Sequence, residues 1–209
     1  MLPIPTLFRT EQYLSEAETL NPGPWVQHSL YVAQGARLIA ERYPRLDPER
    51  AYILGCLHDI GRRCGVHGMR HILDGYRFMM EEGYEGAARI CLTHSYPGNN
   101  VVAGAMPWDG SESELEFVRI SLRQIEYDDY DRVIQLCDAL SLPTGFCLME
   151  KRLVDVVLRY GANENTVARW QGFFDVKAEI ESAIGMPVYS LLPGVVENTF
   201  GWANSNDLY

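Results

Sequence analysis

The segment AYILGCLHDIG, residues 51–61, constrains the fold more than any other. Residues 51 to 57 are apolar all round, the pattern of a helix buried on most of its sides, and Asp47 and Pro48 stand where a cap and a first-turn proline belong. His58 and Asp59 follow directly, side by side. An isolated ionisable group in an apolar interior is either strongly destabilising or driven neutral by a shifted pKa, so this pair demands partners from elsewhere in the chain.

A chain of 209 residues with 47% hydrophobic content is long enough for one substantial core and is read as a single all-α domain, 1–209. There is no apolar run of about 18 residues and no basic N-terminal region followed by an apolar one, which predicts neither membrane span nor signal peptide and a cytoplasmic location. Five cysteines (Cys56, Cys64, Cys91, Cys137, Cys147), with no C-x-x-C pair, fit reduced thiols filling space. The formal net charge of −10 argues against nucleic acid as a partner. Small anionic ligands stay compatible if positive charge is concentrated locally, as metal ions do.

Periodicity predicts helices throughout and no hairpin. A short helix near 10–20 ends at NPGP, and Pro24 opens a long helix to about Pro44 in which Trp25, His28, Val32 and Ile39 share a face. Further helices are expected near 69–82, 85–95 (Ala87, Ile90 and His94 on one face), from Ser111 with an S-x-x-E box to Glu114, over 130–142, 147–160 and 164–184. In the last, Val167, Trp170 and Phe174 are expected inward. That helix either completes the core or pairs with a second copy in a homodimer. The loop 96–110, rich in Gly, Pro and Asn, is a candidate lid. No period is seen after Gly185.

Histidine is scarce, so the partners of His58 and Asp59 are few: His28, His67, His71 and His94, with Asp138 in VIQLCDALSL as the best carboxylate. Imidazole and carboxylate together suit divalent transition metals. Each residue also has a plainer explanation. His28 alone would serve as a hydrogen-bonded core histidine, His67 and His71 as exposed residues, and His94 as a favourable charge at a helix C-terminus. Asp138 shares a solvent stripe with Gln135 and Ser141 if that face is outward.

The order of these residues in WVQHSL, CLHDIGRR, MRHILDGY, CLTHSYP and QLCDAL resembles the HD-domain metal-dependent phosphohydrolases over residues 24–142. The resemblance implies a helical bundle with an HD-like core, 24–142, followed by a C-terminal helical extension, 145–209. It implies that His28, His58, Asp59 and Asp138 hold one metal and that His71 and His94 complete a second site, with Asp59 bridging two divalent ions (Fe, Mn, Ni, Co, Zn or Mg). His71 is preferred over His67 because RHILDGY resembles the start of the helix carrying that ligand in related proteins. Two ions about 3.5–4 Å apart polarise a phosphoryl oxygen and make a hydroxide available near neutral pH. Asp59 and Arg62 are then the catalytic residues, and Arg62, Arg63, His67 and Arg70 bind substrate, Arg62 as a planar fork in place of the family's frequent lysine. The implied activity is hydrolysis of a phosphate ester or anhydride in a nucleotide or other small phosphorylated metabolite. A di-iron oxygenase and a non-catalytic, metal-binding regulatory module are the alternatives.

Overall fold

Helix starts are set by side chains that the sequence places at capping offsets. In the computed structural model, which describes residues 1–97 and 107–201, Thr6 accepts from the Arg9 backbone N–H to open α1 (Leu7–Leu20), and Asp47 accepts from Arg50 at 2.8 Å to open α3 (Pro48–Leu57). Between them runs α2 (Trp25–Ala40), which starts one residue after Pro24 and stops short of Pro44. α4 (His71–Glu81) and α5 (Glu85–Thr93) follow as an antiparallel pair. The expected box at Ser111 and Glu114 opens α6 (Glu112–Gln124), and a second one, Asp128 with Asp131, opens α7 (Asp129–Ala139).

α3 is the central helix, in contact with α1, α2, α5 and α7. Its closeness to α2 depends on Gly55, where a Cβ would lie 2.5 Å from the Ala33 Cα. The expected continuation of this helix through HDIG is not what forms. The α-helix ends at Leu57, Asp59 takes φ −105° and ψ 14°, and the chain continues as a tight 3-10 turn, Ile60–Cys64. The cause is tertiary: the turn passes directly over the first turn of α4. A Cβ on Gly61 would lie 1.9 Å from the His71 carbonyl oxygen and 2.4 Å from the Gly75 nitrogen. This break carries the His-Asp pair into register with α4.

α5 and α7 are locked by a buried polar network. Asp131 accepts from Thr93 Oγ1 at 2.7 Å and from the Arg89 guanidinium, while Gln135 donates to the Thr93 and Tyr96 carbonyls at 2.9 and 3.3 Å. Gln135 and Ser141 are fully buried, so the stripe they share with Asp138 faces inward rather than to solvent. After α7 a minimal antiparallel hairpin, Ser141–Leu142 with Gly145–Phe146, turns the chain. Two strands of two residues are too short to show alternation in a sequence. α8 (Met149–Tyr160) and α9 (Thr166–Ile184) follow, then α10 (Val195–Phe200), in a region where no period was expected.

α9 corrects the expected inner face. Val167 is 76% exposed and Phe174 is exposed at 36%, with Trp170 only half buried. The buried residues are Thr166, Arg169, Phe173, Val176 and Ile180. The helix is rotated by about one residue because Arg169, not an apolar side chain, occupies an inner position. Most of the candidate lid, residues 98–106, lies outside the described residues; of its flanks, Asp109 accepts from the Gly68 and Arg70 backbone N–H groups at 2.5 and 2.7 Å. Among the described residues no helix is long and apolar enough to cross a membrane.

Gly61→Ala is expected to force the 3-10 turn off α4, at a cost of about 2 kcal/mol or more. Thermal unfolding would read this as a lowered midpoint; an unchanged midpoint would mean that the contact is not a constraint.

Candidate metal centre

Five residues from separate helix ends gather around His58 and Asp59. His58 ends α3, His71 begins α4, His94 follows α5, His28 lies in the first turns of α2, and Asp138 lies near the end of α7. All four histidines and Asp59 are buried. Ring centroids of His58 lie 5.4 Å from His28 and 4.9 Å from His94, and those of His71 and His94 are 5.5 Å apart.

Three of the rings are aimed by their own chain. His58 Nδ1 contacts the Gly55 carbonyl at 2.8 Å, His71 Nδ1 the Gly68 carbonyl at 2.5 Å, and His94 Nδ1 the Ile90 carbonyl at 3.1 Å. A carbonyl only accepts, so each Nδ1 carries a hydrogen, and in a neutral ring Nε2 is left with a lone pair. The three Nε2 atoms face one carboxylate: those of His71, His94 and His58 lie 3.0, 3.5 and 3.8 Å from the Asp59 oxygens. Lone pair facing carboxylate is repulsive unless a cation lies between. The Nε2 atoms of His58 and His71 are buried without a hydrogen-bond partner among the described residues. On the other side of His58, His28 Nε2 approaches Asp138 Oδ1 at 3.1 Å.

Two triads have donor atoms close enough to share an ion: His28, His58 and Asp138, and His58, Asp59 and His94. The donor set, imidazole nitrogens and carboxylate oxygens with no thiolate, fits a divalent transition metal. The Nδ1–carbonyl contacts are the outer-shell bonds that fix tautomer and orientation in histidine metal sites. Burial pushes the His58 imidazole down to about 4 and lowers His71, keeping both neutral and able to ligate, whereas Asp59 raises His94 against burial. Burial alone would raise Asp59, but Arg62, with His58 and His71, outweighs it and holds the carboxyl well below the usual range. Asp138 is likewise lowered against burial, by His28 first and then Arg152.

The other basic residues singled out in the sequence separate. Arg62 bonds Asp59 Oδ2 through Nε at 2.5 Å and lines the cleft over the cluster. Arg63, His67 and Arg70 do not line that cleft. Arg63 lies over the Phe78 ring at 3.8 Å, Arg70 sits 3.4 Å from Asp74, and half-buried His67 contacts the Cys64 carbonyl and lies 4.0 Å from Asp109. In their place the cleft is walled by Arg152, Arg159 and Tyr160 of α8 and by Arg169 and Phe173 of α9. Sequence reasoning missed these. The available signal was arginine at 152 and 159, seven residues apart and interleaved with the apolar stripe of Met149, Leu153 and Val156. The thiols of Cys56, Cys91 and Cys137 are buried and raised by burial, Cys56 to about 12, which leaves them inert packing groups.

Metal removal should therefore weaken the fold. A thousandfold excess of divalent ion over its Kd stabilises by about 4 kcal/mol, of the order of 10 °C in thermal midpoint for a chain of this size. Chelation is expected to remove that increment in the wild type and to leave the midpoint of His58→Ala unmoved. Equal responses of the two proteins would detach the increment from this cluster.

The family model of the HD domain matches residues 25–142, from the first residue of α2 to the first strand of the hairpin. Comparison with curated proteins and with solved structures gave no match. HD domains bind divalent metals and characterise a superfamily of metal-dependent phosphohydrolases, and the His and Asp cluster lies inside the matched segment. With more than half of its length matched, the chain belongs to the HD domain family.

Proposed function

We propose that this chain is a two-metal hydrolase of phosphate esters or anhydrides, acting on a nucleotide or another small phosphorylated metabolite. The observation that carries the reading is the convergence of three imidazole Nε2 atoms on the buried Asp59 at the floor of an arginine-lined cleft. His28, His58, Asp59 and Asp138 are read as holders of one ion, and Asp59, His71 and His94 as holders of the second. His71 is favoured over His67 because its Nε2 lies 3.0 Å from Asp59, whereas His67 keeps company with Asp109.

When bound, two divalent ions supply Lewis acidity toward a phosphoryl oxygen and a water ionised near neutral pH. The chain's own residues supply the rest. Asp59 orients the attacking oxygen, and the Nδ1–carbonyl bonds of His58, His71 and His94 keep the ligand atoms from reorganising as charge develops. Hydrolysis forms one P–O bond to that oxygen and breaks the P–O bond to the leaving group, whose oxygen ends protonated. Arg62, tied to Asp59 through Nε, keeps its terminal nitrogens for the transferring group. Of the residues expected to hold the phosphate, Arg62, Arg63, His67 and Arg70, this reading keeps Arg62, which lines the cleft over the cluster.

The test is hydrolysis of 4-nitrophenyl phosphate by the full chain stripped with chelator, reloaded with Mn2+ and kept free of oxygen. Turnover is expected under those conditions and is expected to fall by roughly 10²–10³-fold in Asp59→Asn. Activity that appears only with iron and consumes oxygen would replace the hydrolase by an oxygenase. An inactive but metal-loaded chain would leave a regulatory module.

A further inference from the structure

Arg169 is only 4% exposed, its Nε has no hydrogen-bond partner, and no carboxylate lies within ion-pair distance of it among the described residues. A guanidinium cannot shed its proton to escape such a site, so burying one unmatched is destabilising. Arg152 is only partly matched. Its Nη2 lies 3.5 Å from Asp138 and its Nη1 3.4 Å from Asp155, both long contacts, and its Nε is buried without a partner. Arg159 stands at the rim, 2.6 Å from Asp155.

These three side chains and Arg62 face one cleft that contains two carboxylates, Asp59 and Asp138, in a protein whose net charge is −10. In the reading proposed above, two divalent ions match those two aspartates and one phosphoryl dianion. Arg62 is already bonded to Asp59. Arg152 and Arg159 share the one carboxylate of Asp155, so the three cations of α8 and α9 exceed what a ligand with a single phosphoryl group needs, and Arg169 is the one buried with no carboxylate of its own among the described residues. Phe173 and Tyr160 line the same cleft and offer apolar surface to a carbon skeleton.

We infer that Arg152 and Arg169, with Arg159 at the rim, form a second anion subsite, which takes a carboxylate or phosphate that the substrate carries in addition to its scissile phosphoryl group. The subsite rests on the metal-centre reading for its floor, and it comes entirely from helices beyond residues 25–142. It defines the substrate class as a phosphate ester with a second anionic group, and it makes these arginines specificity determinants rather than catalytic residues.

Calorimetric titration of the full, Mn2+-loaded chain with methylphosphonate and with 3-phosphonopropionate tests this directly. Both ligands carry a phosphonate that water does not cleave, and the second adds a carboxylate on one further methylene. The ligand with the added carboxylate is expected to bind at least tenfold tighter. Arg169→Met should bring the two within twofold while leaving methylphosphonate binding and the thermal midpoint intact or the midpoint higher, since an unmatched buried charge is removed. Arg159→Gln, at the exposed rim, should lose part of the preference without any risk to the core. Equal binding of the two ligands by the wild type, or a preference that survives in Arg169→Met, overturns the subsite. The two readings fail separately: hydrolysis of phosphate esters without the preference removes only the subsite, and the preference without hydrolysis removes only the proposed reaction.

Discussion

Everything at the centre of this molecule follows from one buried carboxylate. Asp59 sits in an apolar interior with three imidazole Nε2 atoms facing it and a single guanidinium bonded to it. Such an arrangement is tolerable only because cations offset it, Arg62 permanently and the proposed ions when present. The helices are arranged to deliver those partners. α2 and α7 bring His28 and Asp138 to one side of His58, and α4 and α5 bring His71 and His94 to the other.

Backbone approach makes that delivery geometrically exact to a fraction of a side chain. Gly55 lets α2 lie against α3, and Gly61 lets the 3-10 turn lie against α4. The polar lock of Asp131, Arg89, Thr93 and Gln135 then fixes α5 against α7. Because Thr93 precedes His94 and Gln135 is one turn before Asp138, the same hydrogen bonds that satisfy buried polar groups also set the spacing of two candidate ligands.

The helical class, the caps at Asp47 and Ser111, and the residues that converge on Asp59 could all be read from the sequence, since capping offsets and scarce histidines are local signals. What could not be read depends on tertiary contact. HDI carries no local stop signal after Leu57; the chain there turns to pack on α4, a contact so close that only the missing Cβ of Gly61 permits it. On α9, Val167, Trp170 and Phe174 make as good an apolar stripe as the one that is buried. The true face was hidden because one of its members is an arginine that faces the cleft. Arg63, His67 and Arg70 are close to Asp59 in sequence, and their side chains lie against Phe78, Asp109 and Asp74, contacts that no local pattern announces.

Each aimed ring takes its orientation from a carbonyl three or four residues earlier in its own segment: Gly55 for His58, Gly68 for His71, Ile90 for His94. The ligand geometry is thus a property of short, self-contained pieces of chain. The centre is in this sense portable. Insertions and deletions between the pieces can accumulate without disturbing how any one ring points, provided that the helix ends still meet, and the helices appended after the hairpin can be exchanged while the chemistry beneath them stays the same.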